Sequence, residues 1–392
     1  MGRETSGPLR LLRETHEERV LSVLRTRGPL TRAQLAEQTN LSRATLSSIV
    51  QTLLSNQALV ERPEHTLAEQ AVRGRGRPVS VVMLNPAGGL ALGMDLGQRR
   101  IQVTISNVAH EFVASGAVAC AERTPWARRL QLALDLVDDL TTRHDVSLTA
   151  LAGVGVGIVG PVPVGADSAG LVRSDRIALV RDTLRARFGV PVYVDNNTRL
   201  AALAEAVWGA GSGVDSTLYL RLSYGVGGGL VLGGRLFAGA GGAAGELGHI
   251  SVNRDGPSCS CGGRGCLERY VSLTTLQAQC NDILDARDEK ARDLVAEAGT
   301  RIGEVLAAAC NTVNPEVVVI GGELAETGDH LFKPLQAALR RYTHSQVHRT
   351  VRVTRAALGP DAAARGGIAL VLTTSPPGTE WRTALDQEAV RP

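Results

Sequence analysis

Short apolar runs that end in glycine and pass into a helical stretch recur along residues 90–322, the pattern of an α/β sheet fold with ligand loops at its strand ends. Leu90-Ala-Leu-Gly-Met94 runs into Asp95-Leu-Gly97, with Ile101 to Val108 as a second strand and a helix from about Pro125 to His144. Leu151-Ala-Gly-Val-Gly-Val-Gly-Ile-Val159 reads as a buried strand. Val190 to Val194 ends at Asp195-Asn196-Asn197, before a helix from Leu200 to Trp208. Thr217 to Leu222 enters Gly225-Val-Gly-Gly-Gly229, and Val317-Val-Val-Ile320 enters Gly321-Gly322. The helix around Asp293 to Asn311, through Ile302, Val305, Leu306 and Ala309, suits either the core of this unit or a contact between subunits.

At 392 residues the chain is long enough for two or three folded units. Apolar residues make up 44% and charged residues 21%, the balance of a soluble globular protein; with only 3% aromatic, the cores must be built from Leu, Val, Ile and Ala. No apolar run approaches the ~20 residues that span a bilayer, so no membrane partner is expected. Met1-Gly2-Arg3-Glu4 carries an acid early and leads into no apolar signal core, which points to the cytoplasm. Net charge is +3, but residues 1–80 hold twelve Arg and eight Glu while the remainder holds 30 basic and 31 acidic residues. The positive excess sits in the N-terminal fifth, where a nucleic-acid contact would need it.

That fifth, residues 1–85, reads as a winged helix-turn-helix. His16 to Arg27 places Val20, Leu21, Val23 and Leu24 on one face and stops at Gly28-Pro29. Thr31-Arg-Ala-Gln34 is a capping box opening a second helix. Thr39-Asn40-Leu41 is a tight turn, and Ser42 caps a third helix running to about Asn56, with Leu46, Ile49, Val50, Leu53 and Leu54 inward. The second helix of such a pair enters the major groove by its N-terminal end, which here offers Ser42, Arg43, Thr45, Ser47 and Ser48. Arg43 suits a bidentate guanine contact and the hydroxyls suit phosphates or base edges; a small helical bundle without nucleic acid is the competing explanation. Leu59 to Arg62 and Val79 to Leu84 then form a wing, with Arg73, Arg75 and Arg77 alternating with glycine in the loop between them. Such a loop fits a narrow A·T-rich minor groove, or is simply a basic linker. Asn85-Pro86-Ala87-Gly88-Gly89 is expected to hinge into the second unit, residues 86–375, and residues 376–392 to form a disordered tail.

Of six cysteines, Cys259, Cys261 and Cys266 fall within eight residues, whereas Cys120, Cys280 and Cys310 stand singly. With His249 ten residues before Cys259, the cluster supplies four soft or borderline ligands, enough for a tetrahedral Zn²⁺ with no open position and so a structural role. Gly262, Gly263 and Gly265 permit the tight turn that a knuckle needs. Three buried free thiols are the plainer alternative.

Gly245-Glu-Leu-Gly-His249-Ile, followed by Cys259-Ser-Cys261-Gly-Gly-Arg-Gly-Cys266-Leu-Glu268, resembles the ROK family, which joins bacterial sugar kinases with repressors. The match covers roughly residues 15–375 and is to the repressor branch, which includes the regulators for xylose and N-acetylglucosamine. The resemblance implies an actin-like, ribonuclease-H-like pair of lobes around a sugar cleft, zinc on His249, Cys259, Cys261 and Cys266, and sugar ligands at Asn196, Asn197, Glu246, His249 and Glu268. For the two glutamates, ordinary solvated carboxylates are the competing explanation.

Three departures from the family's kinases make a catalytic role unexpected. The kinase general base corresponds to Asn197, and an amide cannot accept a proton at neutral pH. The first phosphate loop, Asp95-Leu-Gly-Gln98-Arg99, carries two long side chains, and the second has Ser223-Tyr224-Gly225 where a small donor is usual. The implied function is a DNA-binding regulator, a repressor by resemblance, of carbohydrate metabolism. A sugar or sugar-phosphate effector would close the cleft and alter the placement of the DNA-binding units. A homodimer or homotetramer on a palindromic double-stranded operator with A·T-rich parts is expected. An active sugar kinase with a DNA-binding appendage, or a ligand-independent regulator with a degenerate sugar site, are the alternatives.

Overall fold

The structure is a computed structural model that describes residues 7–63, 80–163 and 175–374, with side chains from Leu12 onward. The arginine-rich wing loop (Arg73, Arg75, Arg77), the segment following Pro163 and the expected tail lie outside the described residues.

Helix α1 (Gly7–Arg27) begins nearer the terminus than the apolar pattern predicted, and Pro8 sits at its first turn, where its missing N–H costs nothing. Strand β1 (Leu30–Thr31) leads to α2 (Arg32–Thr39), whose capping box forms in full: Thr31 Oγ1 accepts from Gln34 N at 3.3 Å, and Gln34 Oε1 accepts from Thr31 N at 2.9 Å. Asn40 takes a left-handed φ of 51° and ends α2, and α3 (Arg43–Ser55) starts directly from the Ser42 cap. Strands β2 (Leu59–Pro63) and β3 (Ser80–Leu84) pair antiparallel, with β1 on the other edge of β3. Val20, Leu24, Leu35, Leu46, Val50, Leu53 and Met83 close a core among these elements, each contributing about 1.5–3 kcal/mol by leaving water.

The sheet of the first lobe is built from β4 (Leu90–Leu96), β5 (Arg100–Asn107), β6 (Phe112–Ala119), β7 (Leu151–Ile158) and β8 (Val192–Asn196) in the order β6-β5-β4-β7-β8. The hairpin strands are antiparallel, while β4, β7 and β8 run parallel. Helix α4 (Trp126–His144) covers it with Leu130, Ala133, Val137 and Leu140, a helical spacing, and α5 (Asp175–Phe188) adds Ile177, Val180 and Leu184.

The second lobe repeats the scheme. Strands β9 (Ser216–Leu222), β10 (Val226–Leu232), β11 (Arg235–Phe237), β12 (Val317–Gly321) and β13 (Arg352–Arg355) lie in the order β11-β10-β9-β12-β13. In both sheets the third, second and first strands form an antiparallel meander and the fourth and fifth extend it in parallel. This duplicated order is the two-lobed, ribonuclease-H-like arrangement that the resemblance implied. Short helices α7 (Glu268–Val271) and α8 (Leu273–Gln277) precede α9 (Glu289–Val313), which packs on α10 (Asp329–Tyr342); α11 (Ser345–Thr350) leads to β13. Ile302, Val305 and Leu306 of α9 lie in this lobe's core, the first of the two roles open to that helix.

Helix α6 (Asn197–Trp208) packs against β10 and α12 (Ala362–Thr374), and α12 reaches β4 and β7 of the first lobe. These two helices fill the space between the sheets.

Candidate functional site: an interlobe cleft, a cysteine knuckle and a helix-turn-helix face

β10 is a glycine strand because two elements press on it. A Cβ on Gly228 would stand 2.3 Å from Gly245 O, and one on Gly248 would stand 2.1 Å from Val226 O. Close approach therefore seats the Gly245–His249 turn on one side of β10, while α6 begins on the other, with Thr198 beside Gly227. The five residues expected at a sugar come from elements that converge on this strand. Glu246 and His249 stand on the turn, with Glu246 Oε2 3.9 Å from His249 Nε2. Glu268 Oε2 accepts from Val226 N at 2.9 Å, which ties its carboxylate to the start of β10.

Asn196 and Asn197 open α6. Asn196 acts as the N-cap: its Oδ1 accepts from Thr198 N at 2.8 Å and Arg199 N at 3.1 Å, and its Nδ2 donates to Gly160 O at 3.0 Å. That engagement leaves one amide hydrogen for any ligand. Asn197 is buried and donates from Nδ2 to Asp95 Oδ1 at 3.2 Å. Burial pushes the Asp95 carboxyl up to about 6, with Arg221, Asn197 and Arg100 pulling the other way. Asp195 is paired with Arg199, which is 1% exposed, and burial raises the Asp195 carboxyl against the pull of that guanidinium.

The two loops expected to crowd a nucleotide phosphate meet each other. Arg99, after β4, lies over the Tyr224 ring, after β9, at 3.8 Å. The first loop is also anchored from behind, where buried Arg129 donates to the carbonyls of Gly97, Gln98, Ala121, Glu122 and Thr124.

The ligand atoms of His249, Cys259, Cys261 and Cys266 all lie within 4.8 Å of one another. Cys261 Sγ is 3.6 Å from Cys266 Sγ, and Cys259 Sγ is 3.6 Å from His249 Nδ1. A tetrahedral zinc with bonds of about 2.0–2.3 Å has ligand edges of about 3.5–3.8 Å, so the cluster fits the ion. The thiols are unequal: burial and the neighbouring sulfurs push Cys266 up to about 12, while at Cys259 burial is outweighed by hydrogen bonds with Cys261, His249 and Cys266 that together bring it down to about 7. A divalent cation would stabilise all of them as thiolates. The turn is tight enough to require glycine at Gly265, whose φ is 62° and whose Cβ would stand 1.6 Å from Asn253 O.

On α3, Ser42, Arg43, Ser47 and Ser48 are exposed and Thr45 is half-buried. Ser42 Oγ accepts from Thr45 N at 3.2 Å and lies 2.8 Å from Thr45 Oγ1, so this pair of hydroxyls belongs to the cap. Arg43 makes no hydrogen bond or ion pair among the described residues, and its guanidinium is available at the helix start.

Residues 91–374 match the ROK family. The chain belongs to the ROK family. The xylose repressor of Bacillus subtilis (strain 168) is 25% identical over 374 residues, 92% of this chain and 96% of the repressor. A glucokinase of Halalkalibacterium halodurans is 30% identical, over 70% of this chain and 93% of the enzyme. The crystal structure of a ROK-family transcriptional regulator, a homologue of the E. coli MLC protein, superposes with a TM-score of 0.69 at 23% identity, covering 92% of this chain and 97% of that one. The ROK relatives thus include both repressors and kinases, and the repressor likeness, at 92% of this chain, extends beyond the ROK match into α2 and α3.

Sequence reasoning missed how the helix-turn-helix joins the ROK lobes. The stretch Asn85–Gly89, expected as a hinge, forms a hydrogen-bonded turn: Asn85 Nδ2 donates to Gln57 O at 2.8 Å and Asn85 Oδ1 accepts from Ala87 N at 3.1 Å, closing a turn of 3-10 helix over Pro86–Gly88. At the C-terminal end of α1, His110 Nε2 bonds Arg25 O at 3.0 Å, and Trp208 Nε1 donates to His110 Nδ1 at 3.0 Å. An indole can only donate, so Nδ1 is bare and Nε2 carries the proton. Burial holds this imidazole down at about 4, hence neutral. Arg27 pairs with Asp215 and donates to Val214 O at 3.0 Å, while Arg62 of β2 pairs with Glu111 at 2.8 Å. No spacing motif announces such contacts. Only the polar turn Asn107–Glu111 and one of the chain's three tryptophans hinted at them.

Proposed function

We propose that this chain is a sugar-responsive transcriptional repressor that reads double-stranded DNA through the N-terminal end of α3 and does not transfer phosphate. The observation that carries this is the likeness to the xylose repressor along nearly the whole chain, with the helix-turn-helix included. Arg43 is the base-reading residue, with Ser42, Thr45, Ser47 and Ser48 serving phosphates or base edges; Arg73, Arg75 and Arg77 follow the minor groove. Two such units in a homo-oligomer would read half-sites of a palindrome. His249, Cys259, Cys261 and Cys266 would hold a structural Zn²⁺, which would fix the turn bearing Glu246. Asn196, Asn197, Glu246, His249 and Glu268 contact the sugar, His249 through the ring nitrogen not given to the metal.

Against catalysis stands the position of the base. Asn197 presents an amide to Asp95, Asp195 is paired with Arg199, and Arg99 on Tyr224 crowds the phosphate side. Sugar binding acts through α6, whose first turn lies at the cleft and whose last residue, Trp208, touches the His110–Arg25 contact to the DNA-binding unit. A sugar shifts DNA affinity only by as much as it prefers one lobe arrangement over the other.

The test is binding of the purified chain to its own upstream DNA with xylose, glucose or N-acetylglucosamine present or absent, alongside ATP turnover with the same sugars. Specific DNA binding that one sugar weakens, with no turnover, is the expected result. Turnover with any of them would make it a kinase, and the lack of a specific site would remove the repressor reading.

A further inference from the structure

We infer that Arg199 is a positioning residue that fastens the two lobes to each other across the cleft. It belongs to α6, and its guanidinium is spent entirely on partners from both sides. Nε donates to Asp195 Oδ1 at 2.7 Å and Nη2 donates to Val162 O at 3.0 Å, both in the first lobe. Nη1 donates to Gly242 O, in the second. The side chain is 1% exposed, so water does not stand in for any of these partners.

The planar fork of arginine is what makes the bridge possible, because it presents donors in three directions from one charge. Asp195 neutralises that charge locally, meeting both Nε and Nη2, while Nη2 and Nη1 also reach the carbonyls on the two lips of the cleft. Pulling the lobes apart separates Gly242 O from Val162 O and breaks one of the two bonds. A lysine keeps the charge near Asp195 but gathers its three N–H donors on one atom, so it does not reproduce the fork of Nε, Nη1 and Nη2 that reaches Asp195, Gly242 O and Val162 O from three separate positions. Arg99 on Tyr224 adds a separate lobe-to-lobe contact at the phosphate end of the same cleft. The cleft is therefore bridged by the protein's own side chains, and an effector works by displacing or reinforcing that bridge. This inference concerns the bridge itself and does not depend on what the effector is.

The experiment compares full-length, zinc-loaded wild type with Arg199→Lys and Arg199→Ala by small-angle X-ray scattering and hydrogen exchange. Wild type is expected to scatter as the closed arrangement. Arg199→Lys is expected to keep its zinc and its cooperative unfolding, to show a larger radius of gyration, and to exchange about tenfold faster or more at the Gly239–Ala244 loop than wild type, with β12 unchanged. Arg199→Ala should open at least as far. Wild-type scattering that fits only an open cleft overturns the inference, whether or not either variant folds. So does a folded Arg199→Lys with scattering and exchange like the wild type. Neither readout involves DNA or sugar, so failure here is distinguishable from failure of the repressor proposal.

Discussion

Arg43 and Ser42 sit side by side at the start of α3 and answer to different forces. Ser42 is committed to the cap, so Ser42→Ala should lower stability by about 1 kcal/mol, read from the shift in thermal unfolding. Arg43 is exposed and makes no bond among the described residues, so Arg43→Ala should leave the melting temperature unchanged. It should weaken operator binding by about 1–3 kcal/mol, read by fluorescence anisotropy against a matched non-specific duplex; an equal loss on both would assign it to the phosphates instead. His110 makes a different prediction. Its ring is neutral in the fold with a value near 4 against an ordinary 6.5, so the unfolded chain binds the extra proton. That stability is complete above about pH 6.5 and is lost as pH falls towards 4, amounting to about 2 kcal/mol by pH 5. In His110→Gln the step between pH 7 and pH 5 should shrink by that amount. Asp95, raised to about 6, titrates with the opposite sign in both proteins and cancels in the comparison.

Elements show where local chemistry was enough. The capping box at Thr31, the turn at Asn40 and the Ser42 cap are written in residues three apart, and they form as the sequence predicts. The knuckle was equally legible, because its ligands are close in sequence and its glycines sit where a turn needs them. We expect about one zinc per purified chain. Cys261→Ser should lose most of it by elemental analysis, with a lower melting temperature, while Cys310→Ser should keep it. A full zinc complement in Cys261→Ser would remove the cysteine from the ligand set. Helix starts were less legible: α6 begins at Asn197 rather than Leu200, because the Asn196 side chain caps it from within a segment read as strand end and ligand. The signal for Arg199 was present in the i, i+4 spacing from Asp195, but a spacing does not say which way a guanidinium turns.

For the whole molecule, the element that runs from the cleft to the contact with the helix-turn-helix is α6, twelve residues long, or about 18 Å. Its ends belong to different sites. Arg27 and His110 fasten α1 to both lobes, so under the proposed function a change in the lobes' mutual placement would reach α3. Arg27→Ala combined with Trp208→Phe should leave operator affinity within about threefold of wild type while abolishing the sugar-induced shift, a coupling of about 1–3 kcal/mol. The effective sugar from the binding screen is the probe, and an unaltered shift in the double variant would remove α6 from the route.

The amino-acid sequence alone determined the helix-turn-helix, the alternating sheet pattern, the zinc-type knuckle and the family likeness, since each rests on residues within a few positions of one another or on glycines that no other residue replaces. It also proposed a sugar-facing set, but not that set's internal partners. That Asn197 faces Asp95, that Arg199 bridges Val162 and Gly242, and that His110 joins Trp208 to α1 were decided only by the tertiary structure. These partners lie up to 102 positions apart in the chain, and a buried polar group takes whichever donor or acceptor the packing of the lobes brings within reach.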